Sequence, residues 1–394
     1  MLKKAFLGGA AGILAVGAAI QLLTGFPSAW GVFRQPVMDE FGLDGGAAAF
    51  AANCIVAAYG LGCVIGGFVQ DRYSPKAAGL WGTVLLSGGL AAAGFLPEGN
   101  AALFYLAFSL PVGLGCAFLY PAVMCCVQKW YQDRKGFATG VVGLGVGLSG
   151  LVLTLLVKWT VKRWGIRSCF WILAGLLFPL CGGGSFLLKD PPQTKQDSEP
   201  KGMKPTQMFK TGSFWLAFLS MGLAAPALLL FGPRIPELAT ERGLPETIAE
   251  WLVAAGSAGS AAGRLLMPMA GERWGKRTAD LWLFGLLTGL SAVFAFAGGW
   301  WVAAVYLALC FCYAGQMAVM PSLCTQMFGM AHTGVNYGFI ALGASLGSLG
   351  FPLLAQALNL ETGRHFLAAA AALAGFFVIW KMNPQKQQKS SGAE

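Results

Sequence analysis

The sequence predicts an all-α membrane protein whose twelve transmembrane helices form two pseudo-symmetric six-helix bundles. Three observations predict this fold: the composition, the length of the apolar runs and an internal repeat. Hydrophobic residues make up 56% and charged residues 11% of the 394 residues, whereas soluble globular domains carry roughly 25% charged residues. This number of charges is too small to cover the surface of a soluble protein of this size. A water-soluble fold is therefore excluded.

The apolar runs have the length that a membrane requires. A membrane-spanning helix needs about 20 predominantly apolar residues, and twelve such runs are separated by charged or turn residues. We number them spans 1 to 12, with predicted limits at 5–33, 47–70, 77–96, 101–127, 136–159, 167–188, 211–236, 247–271, 279–297, 300–328, 334–358 and 364–381. Lys3 and Lys4 before the first run are similar to the start of a secretory signal, but eleven further runs follow. We therefore interpret the first run as a retained span.

Lysine and arginine residues are unevenly distributed between the two sides of these spans. When both termini are placed on one side, that side holds more than twice as many basic residues as the other. The positive-inside rule then predicts cytoplasmic termini, and we call this side the inner side. We expect a multi-pass monomer of the plasma membrane, with the lipid bilayer as its partner. The net charge of +10 does not indicate nucleic-acid binding, because no basic patch with interleaved aromatic residues is present.

The two halves of the chain repeat one plan. Residues 66–76 match 267–277, and 136–150 match 334–348, at an offset of about 200 residues, which indicates a duplicated six-helix half. Parallel repeats of this kind are typical of transporters whose substrate binds near mid-membrane between the halves. The predicted organisation is an N-terminal bundle at 1–189, a cytoplasmic linker at 190–210, a C-terminal bundle at 211–382 and a disordered tail at 383–394.

Glycine pairs at GxxxG spacing occur in spans 2, 5, 8 and 11. They are Gly62/Gly66, Gly143/Gly147, Gly259/Gly263 and Gly343/Gly347. Small residues at this spacing let helix backbones approach closely. Two interpretations stay open, a seam between the two halves or ordinary helix packing.

Arg264 is the fixed charge that the membrane interior is predicted to contain. Carboxylates inside a membrane usually mark proton or cation pathways, but all 17 acidic residues are predicted at or beyond the ends of the spans. Arg264 lies eight residues before Glu272, which places it near mid-membrane. A buried arginine costs at least about 2.5–3.5 kcal/mol on insertion scales, so it is expected to face water or a counter-anion. Alternatively, it extends to the inner headgroups or bonds only to backbone carbonyls.

Several motifs resemble those of a transporter superfamily. The loops DRYSPK at 71–76 and ERWGKR at 272–277 resemble the repeated signature of the major facilitator superfamily. Four further segments are similar to the oxalate/formate antiporter family and the related monocarboxylate transporters: AWGVFRQPV at 29–37, QKWYQDRKGFATG at 128–140, PSLCTQMFG at 321–329 and VNYGFI at 335–340. The resemblance implies alternating-access transport of small carboxylates, with the arginine of span 8, here Arg264, engaging the carboxylate. A planar, permanently charged guanidinium suits that ligand, because it can bond both carboxylate oxygens.

The resemblance also implies further site residues and shows where this chain departs from the family. Tyr120 and Tyr313 correspond to aromatic positions of the carboxylate site. Ala344 stands where oxalate-binding members have a lysine. Those members also have tyrosines at three positions that are here Ser28, Val146 and Met317. Monocarboxylate relatives have an asparagine where this chain has Ser260. The candidate substrate-binding residues are Arg264, Tyr120, Tyr313, Ser260, Gln316, Met317 and Ser28. Because one cation cannot offset a dianion at low dielectric, we expect a monocarboxylate with an apolar body in preference to oxalate.

The charged loops on the inner side are candidate gate elements. Asp71, Arg72, Glu272 and Arg273 are expected to pair with helix ends and to latch one conformation, although plain solvated charges would give the same pattern. Bends near Pro27 and Pro226, at equivalent places in spans 1 and 7, are candidate gate hinges.

The residues inside the spans also predict how transport is coupled and which class of protein this is. Without a buried carboxylate or histidine, exchange or facilitated diffusion is favoured, while proton-coupled symport stays open if the proton travels on the substrate. Catalysis, a metal site and a cofactor are not expected, because the spans lack the acid–base dyads or metal clusters that these need. A broader organic-anion or drug exporter and a non-transporting receptor stay open as alternatives.

Overall fold

The structure is a computed structural model that describes residues 9–192, 202–360 and 363–383. Within these ranges every regular element is a helix and no β-strand occurs. Parts of the predicted linker at 190–210 and almost all of the predicted tail at 383–394 lie outside the described residues.

The first six spans are helices that lie close to their predicted limits, except that span 1 was predicted to end at 33 and its helix continues to Phe41. Their bounds are Ala10–Leu23 and Phe26–Phe41 for span 1, Gly45–Arg72 for span 2, Pro75–Ala93 for span 3, Ala101–Phe104 and Leu110–Trp130 for span 4, and Lys135–Leu187 for spans 5 and 6 together. A π-helical turn at Tyr105–Ser109 joins the two parts of span 4. Gly165 separates spans 5 and 6 with φ +75° and ψ 173°. This conformation is costly for residues with a side chain, which explains a glycine at the turn.

The second six spans follow the same order. Their bounds are Gly212–Ala224 and Pro226–Leu229 for span 7, Glu246–Trp274 for span 8, Lys276–Phe294 for span 9, Trp300–Phe328 for span 10, Thr333–Ala357 for span 11 and Arg364–Lys381 for span 12. In the described part of the chain, eight helices are long and apolar enough to cross a membrane, and one of these contains both spans 5 and 6. Spans 3, 8 and 9 are not among these eight but are continuous helices as well. All twelve predicted spans are therefore helical, and the predicted fold class of twelve transmembrane helices is confirmed.

Spans 1 and 7 are interrupted near the prolines that the sequence singled out. Span 1 breaks after Leu23, and Pro27 lies in the first turn of the helix that follows. Span 7 breaks at Ala225, directly before Pro226. Proline lacks the backbone N–H of a continuous helix, so a break at this place is its expected effect. Both interruptions occupy equivalent positions in the repeat.

The chain divides into two compact units. Among the described residues, unit 1 comprises those within 1–132, 149–198 and 333–339. Unit 2 comprises those within 133–148, 199–332 and 340–394. Each unit therefore takes in the first turns of one span from the other half of the sequence. The start of span 11 belongs to unit 1, and the start of span 5 belongs to unit 2.

A cluster of phenylalanine rings joins spans 1, 4 and 6 in unit 1. Phe108 lies with its ring centroid 5.0 Å from those of Phe104 and Phe170, and Phe33 lies 6.0 Å from Phe170. All four side chains are at most 1% exposed. Buried aromatic pairs at these separations contribute about 0.5–1.5 kcal/mol each beyond the area they bury, so the cluster fixes these spans to one another.

The GxxxG pairs pack differently from one another, which resolves the two interpretations. The pair in span 2 faces span 4, the pair in span 8 faces span 10, and the pair in span 11 faces span 7, all within one half of the sequence. Only Gly143 and Gly147 of span 5 face a span of the other half, where they contact Arg264 and Ala261 of span 8. Ordinary packing therefore explains three pairs, and the seam interpretation holds for one.

Candidate substrate site and gate

Arg264 begins from a closely packed stretch of backbone in unit 2. A Cβ on Gly143 of span 5 would lie 3.0 Å from the Arg264 Cβ. On the neighbouring position, a Cβ on Gly263 would lie 2.1 Å from the carbonyl oxygen of Phe311 in span 10. These glycines let spans 5, 8 and 10 approach so closely that the starting point of the arginine side chain is fixed.

Within the described part of the chain, the Arg264 guanidinium has no acidic partner. The described residues form three ion pairs, Lys129–Asp190, Arg167–Glu40 and Arg234–Glu237, and Arg264 belongs to none of them. Its Nε is buried and has no hydrogen-bond partner, which argues against a guanidinium fully saturated by backbone carbonyls. A buried donor without a partner costs about 1–3 kcal/mol, so an incoming acceptor would be stabilised there.

Tyr313 is the predicted aromatic residue that the fold brings to Arg264. Its phenol lies close enough to the Arg264 guanidinium and to the hydroxyl of Ser348 in span 11 to interact with both side chains. The Ser348 hydroxyl donates to the carbonyl oxygen of Ala344 at 2.7 Å. Side chains of spans 8, 10 and 11 thus come together within unit 2.

The other predicted residues of unit 2 are mostly apolar or amide-bearing. Gln316 is fully buried, and its Nε2 lies 3.8 Å from the Met221 sulfur, while its Oε1 has no hydrogen-bond partner. Met317 is buried beside it on span 10. Ser260 is half-buried, one helical turn before Arg264. The predicted site residues in unit 2 therefore combine one cation, Arg264, with a few neutral polar groups and a methionine side chain.

Tyr120 and Ser28 belong to unit 1. The Tyr120 ring stacks on that of Tyr337, with centroids 5.9 Å apart, and lies 6.5 Å from that of Tyr59. Ser28 donates its hydroxyl hydrogen to the Gly25 carbonyl oxygen at 2.7 Å. Sequence reasoning did not single out Tyr59 or Tyr337. The motif VNYGFI contains Tyr337 and could have suggested it, whereas Tyr59 stands in an apolar run without a signal.

The two predicted gate acids each contact the first turn of a helix. In unit 1, the Asp71 carboxylate accepts hydrogen bonds from the backbone N–H groups of Gly334 at 3.1 Å and Val335 at 2.8 Å. In unit 2, the Glu272 carboxylate accepts one from the N–H of Gly136. The first N–H groups of a helix lack partners and carry partial positive charge, so a carboxylate is stabilising there. The repeat therefore produces two equivalent contacts, to span 11 and to span 5.

The two gate arginines differ from the two gate acids. Arg72 is exposed, with its guanidinium 5.8 Å from the ring centroids of Phe68 and Tyr73. Arg273 is also exposed, and within the described ranges it forms no ion pair. The contacts to the helix ends are thus made by the acids, and a gating role for the arginines stays a prediction.

Four glycines form one continuous ridge on the face of span 5 that packs on span 8. A Cβ added at Gly136 would lie 2.3 Å from the carbonyl oxygen of Pro268, and one at Gly140 would lie 2.6 Å from that of Leu265. At Gly143 the added Cβ would lie 3.0 Å from Cβ of Arg264, and at Gly147 it would lie 2.4 Å from Cα of Ala261. Residues spaced by three and four positions share one helix face. No side chain fits on this face while the two spans are packed together.

Asp71→Asn is expected to loosen the start of span 11. Loss of the charge should weaken the capping contact by about 1 kcal/mol, so that hydrogen exchange of the Gly334 and Val335 amides rises roughly fivefold. Hydrogen–deuterium exchange mass spectrometry of the peptide over 330–340 measures this. Asp133→Asn, which removes an exposed acid on the inner side, should leave that peptide unchanged. Equal exchange in the wild type and Asp71→Asn would contradict the capping role.

Asp280 lies where the sequence did not place an acid. The prediction that all 17 acids lie at or beyond the span ends is wrong for this residue, which is in the second turn of span 9 and is 0% exposed. Neither carboxyl oxygen has a hydrogen-bond partner. The helix starts at Lys276, before the predicted limit, and turns Asp280 toward neighbouring helices. A charged run at the edge of a span does not reveal that orientation.

Twelve spans arranged as a repeat, with an arginine that is unpaired among the described residues, are typical of a membrane transport protein, and the family comparison agrees. The chain belongs to the Major Facilitator Superfamily, whose pattern it matches over residues 9–235 and 217–394. It is a transporter and not an enzyme.

Individual relatives are distant. The chain is 23% identical over 339 residues to the oxalate:formate antiporter of Oxalobacter formigenes, covering 81% of this chain and 77% of that protein. It is 25% identical over 187 residues to monocarboxylate transporter 9 of Pongo abelii, covering 48% of this chain and 36% of that protein. Among solved structures, a double-tryptophan mutant of XylE superposes with a TM-score of 0.75 at 14% identity, covering 98% of both chains. That likeness supports the fold alone.

Proposed function

We propose that the protein carries an organic monocarboxylate anion across the plasma membrane by alternating access, through exchange or uniport, with both termini in the cytoplasm. The observation that carries this proposal is Arg264, a guanidinium in a span with no ion pair among the described residues and a buried Nε without a partner. The names of two relatives, an oxalate:formate antiporter and a monocarboxylate transporter, support a carboxylate as the cargo.

An anion fits the site because the site offers positive charge and hydroxyl groups. A guanidinium can bond both oxygens of a carboxylate, and such charge-assisted bonds are about twice as strong as neutral ones. The Tyr313 phenol beside Arg264 has a hydroxyl hydrogen that it can donate to a carboxylate oxygen. The cargo carboxylate would then be held by Arg264 and Tyr313 together.

One carboxylate fits better than two. The resemblance puts Ala344 where oxalate-binding relatives have a lysine. Near Gln316 in the same unit lie Met221, which contacts it, and Met317, the next residue along span 10. A second carboxylate would enter an apolar environment without a partner, and an uncompensated buried charge costs several kcal/mol. An apolar body on the substrate would pack against the methionine side chains, which adapt to irregular shapes.

Loading of the site favours exchange over leakage. An unoccupied Arg264 would be an uncompensated charge if the site were closed from both sides, whereas a bound carboxylate neutralises it. Closed intermediates are then populated mainly with cargo bound, because a ligand shifts the equilibrium by its differential affinity for the two states. Counterflow should therefore be faster than net flux.

Substrate competition in proteoliposomes tests the proposed cargo. Purified protein is loaded with unlabelled pyruvate, and uptake of labelled pyruvate is competed with lactate, benzoate or oxalate. We expect the monoacids to compete at concentrations at least about tenfold lower than oxalate, because only one carboxylate is offset by a cation. Oxalate competing better than every monoacid would contradict the proposal. A protein that binds these acids but never moves them would be a receptor.

One observation favours a second candidate, the proton-coupled symport of a monocarboxylate. The preference for exchange or uniport rested on the absence of a buried acid, and Asp280 is fully buried in unit 2. A carboxyl group in such a place is able to bind and release a proton. Net uptake driven by a proton gradient, measured separately from counterflow, discriminates between the two modes.

A further inference from the structure

We propose that Asp280 is a proton-binding site, which holds its proton while the start of span 5 is packed on span 8 and releases it when that packing opens. The inference rests on the proposed alternating access, because it links the proton to a contact that must open during transport. It identifies a ligand, the proton, and a place that the carboxylate site does not use.

The burial of Asp280 favours the neutral acid. Its side chain is 0% exposed, and both carboxyl oxygens are without hydrogen-bond partners. An ionised carboxylate in such a place costs several kcal/mol even after the surroundings relax. A protonated carboxyl carries no net charge and loses far less on burial. The observed packing is therefore compatible with the proton-bound form.

The neighbours on span 9 show which helices surround Asp280. Arg277, one turn earlier, donates to the carbonyl oxygens of Ile379 and Trp380 in span 12. Phe284, one turn later, packs against Gly375 of the same span. Lys276 points to span 10 instead, where its Nζ donates to the Ser322 carbonyl oxygen at 2.8 Å. On a helix, Asp280 lies between these two directions, so it faces the groove between spans 10 and 12.

No charged group of the surrounding spans compensates Asp280. Span 10 has no charged residue along Trp300–Phe328. Span 12 offers only Lys381 near this end, and span 8 offers Glu272 and Arg273; all three are exposed. Within the described residues, Asp280 forms no ion pair with any of them.

The two cations one turn away donate to backbone oxygens instead. Lys276 bonds to Ser322, and Arg277 bonds to span 12, although both are spaced for pairing with Asp280 on the same helix face. An ionised Asp280 would attract at least one of them. Their bonds to carbonyls are therefore a second, independent sign that the carboxyl is neutral in this arrangement.

Lys276 connects Asp280 to the gate contact. Its charged neighbours are Lys135 at the start of span 5 and Glu272, the acid that accepts from the Gly136 N–H. When span 5 leaves span 8, Lys135 and Gly136 move away, and Lys276 becomes free to turn from Ser322 to Asp280. The carboxyl proton then passes to water, and the ion pair Lys276–Asp280 replaces the neutral acid.

Proton binding at Asp280 and the packing of span 5 on span 8 affect each other in a definite direction. If the packed arrangement binds the proton more tightly than the open one, protonation favours the packed arrangement by the same factor. Alkaline pH on the inner side therefore favours opening. The repeat adds a contrast: by the offset that relates Asp71 to Glu272, the counterpart of Asp280 in unit 1 is Gly79, where a Cβ would lie 2.5 Å from the Ser185 hydroxyl. The proton site is thus confined to the second half.

Infrared spectroscopy of the purified full-length protein tests proton occupancy directly. At neutral pH, the wild type should show the carbonyl band of a protonated carboxylic acid, and Asp280→Asn should lack it. Asp133→Asn, which alters an exposed acid, should retain the band. Loss of the same band in Asp133→Asn, or its absence from the wild type, would overturn the proposal. Should the asparagine variant fold poorly, Asp280→Leu, which removes the carboxyl without adding a polar group, gives the same comparison.

Counterflow in proteoliposomes of known orientation tests the link to the gate. With outer pH constant, pyruvate counterflow by the wild type should accelerate as inner pH rises, by up to about tenfold per pH unit for a single proton. Asp280→Asn should keep counterflow but lose this dependence, whereas Asp133→Asn should keep both. The same pH dependence in Asp280→Asn and the wild type would overturn the link. If no variant moved any carboxylate, the proposed function would fail, while the infrared result would still decide the proton site.

Discussion

Arg264→Ala is expected to lower monocarboxylate counterflow by about 100-fold or more, because removing one partner of a buried charge pair costs about 3–5 kcal/mol. Arg264→Lys keeps the charge but loses the planar, two-pronged geometry, so it should retain only part of the activity. Labelled pyruvate uptake into loaded proteoliposomes measures both variants.

The same variants separate a binding role from a structural one. Arg264 has no ion pair among the described residues. Its removal therefore relieves the free-energy cost of burying an unpaired guanidinium and breaks no stabilising contact of comparable strength. Arg264→Ala should therefore unfold at the temperature of the wild type or above it. Arg163→Ala, which removes an exposed arginine resting on the Trp159 ring, should transport normally. Wild-type counterflow by Arg264→Ala would contradict the proposed role.

Gly140→Leu is expected to lower counterflow by at least about fivefold, because overpacking of this kind costs typically 1–3 kcal/mol. A Cβ at this position would already lie 2.6 Å from the Leu265 carbonyl oxygen. The bulky side chain therefore penalises only the arrangement in which span 5 is packed on span 8. Alternating access needs that arrangement as well as an open one, so the transport cycle slows.

Two readouts accompany this variant. Hydrogen exchange over 261–272 should increase, because span 8 loses its packed partner, while the protein stays folded. Gly175→Leu is the matched control. Gly175 lies in span 6, and a Cβ added there would have nothing within 4 Å. It should transport as the wild type does. Normal counterflow by Gly140→Leu would show that the glycine ridge is not part of a moving contact.

The number and order of the spans could be predicted because both depend on properties visible along the chain. Apolar runs of the right length, the charged loops between them and the repeated motifs specify twelve helices without knowledge of their neighbours. The breaks near Pro27 and Pro226 follow from the missing proline N–H. The turn at Gly165 belongs to the same class, because only the local backbone determines it.

Properties that depend on which helices become neighbours could not be predicted in this way. Gly62 and Gly66 have the same spacing as Gly143 and Gly147, yet they face a different kind of partner. Asp280 stands in a charged run that is typical of a solvated helix end, and only the start of the helix and its packing turn the side chain inward. The contact of Asp71 with the first turn of span 11 joins residues far apart in the sequence, so no local pattern reports it.

The central claim is that the Arg264 guanidinium receives the carboxylate of the cargo. A structure determined with a bound monocarboxylate, such as benzoate, tests this most directly. We expect both carboxylate oxygens about 2.7–2.9 Å from guanidinium nitrogens, as in charge-assisted bonds, with the Tyr313 hydroxyl directed to one of them. A ligand bound elsewhere, or a guanidinium turned to lipid or enclosed by backbone carbonyls in the occupied state, would contradict the claim.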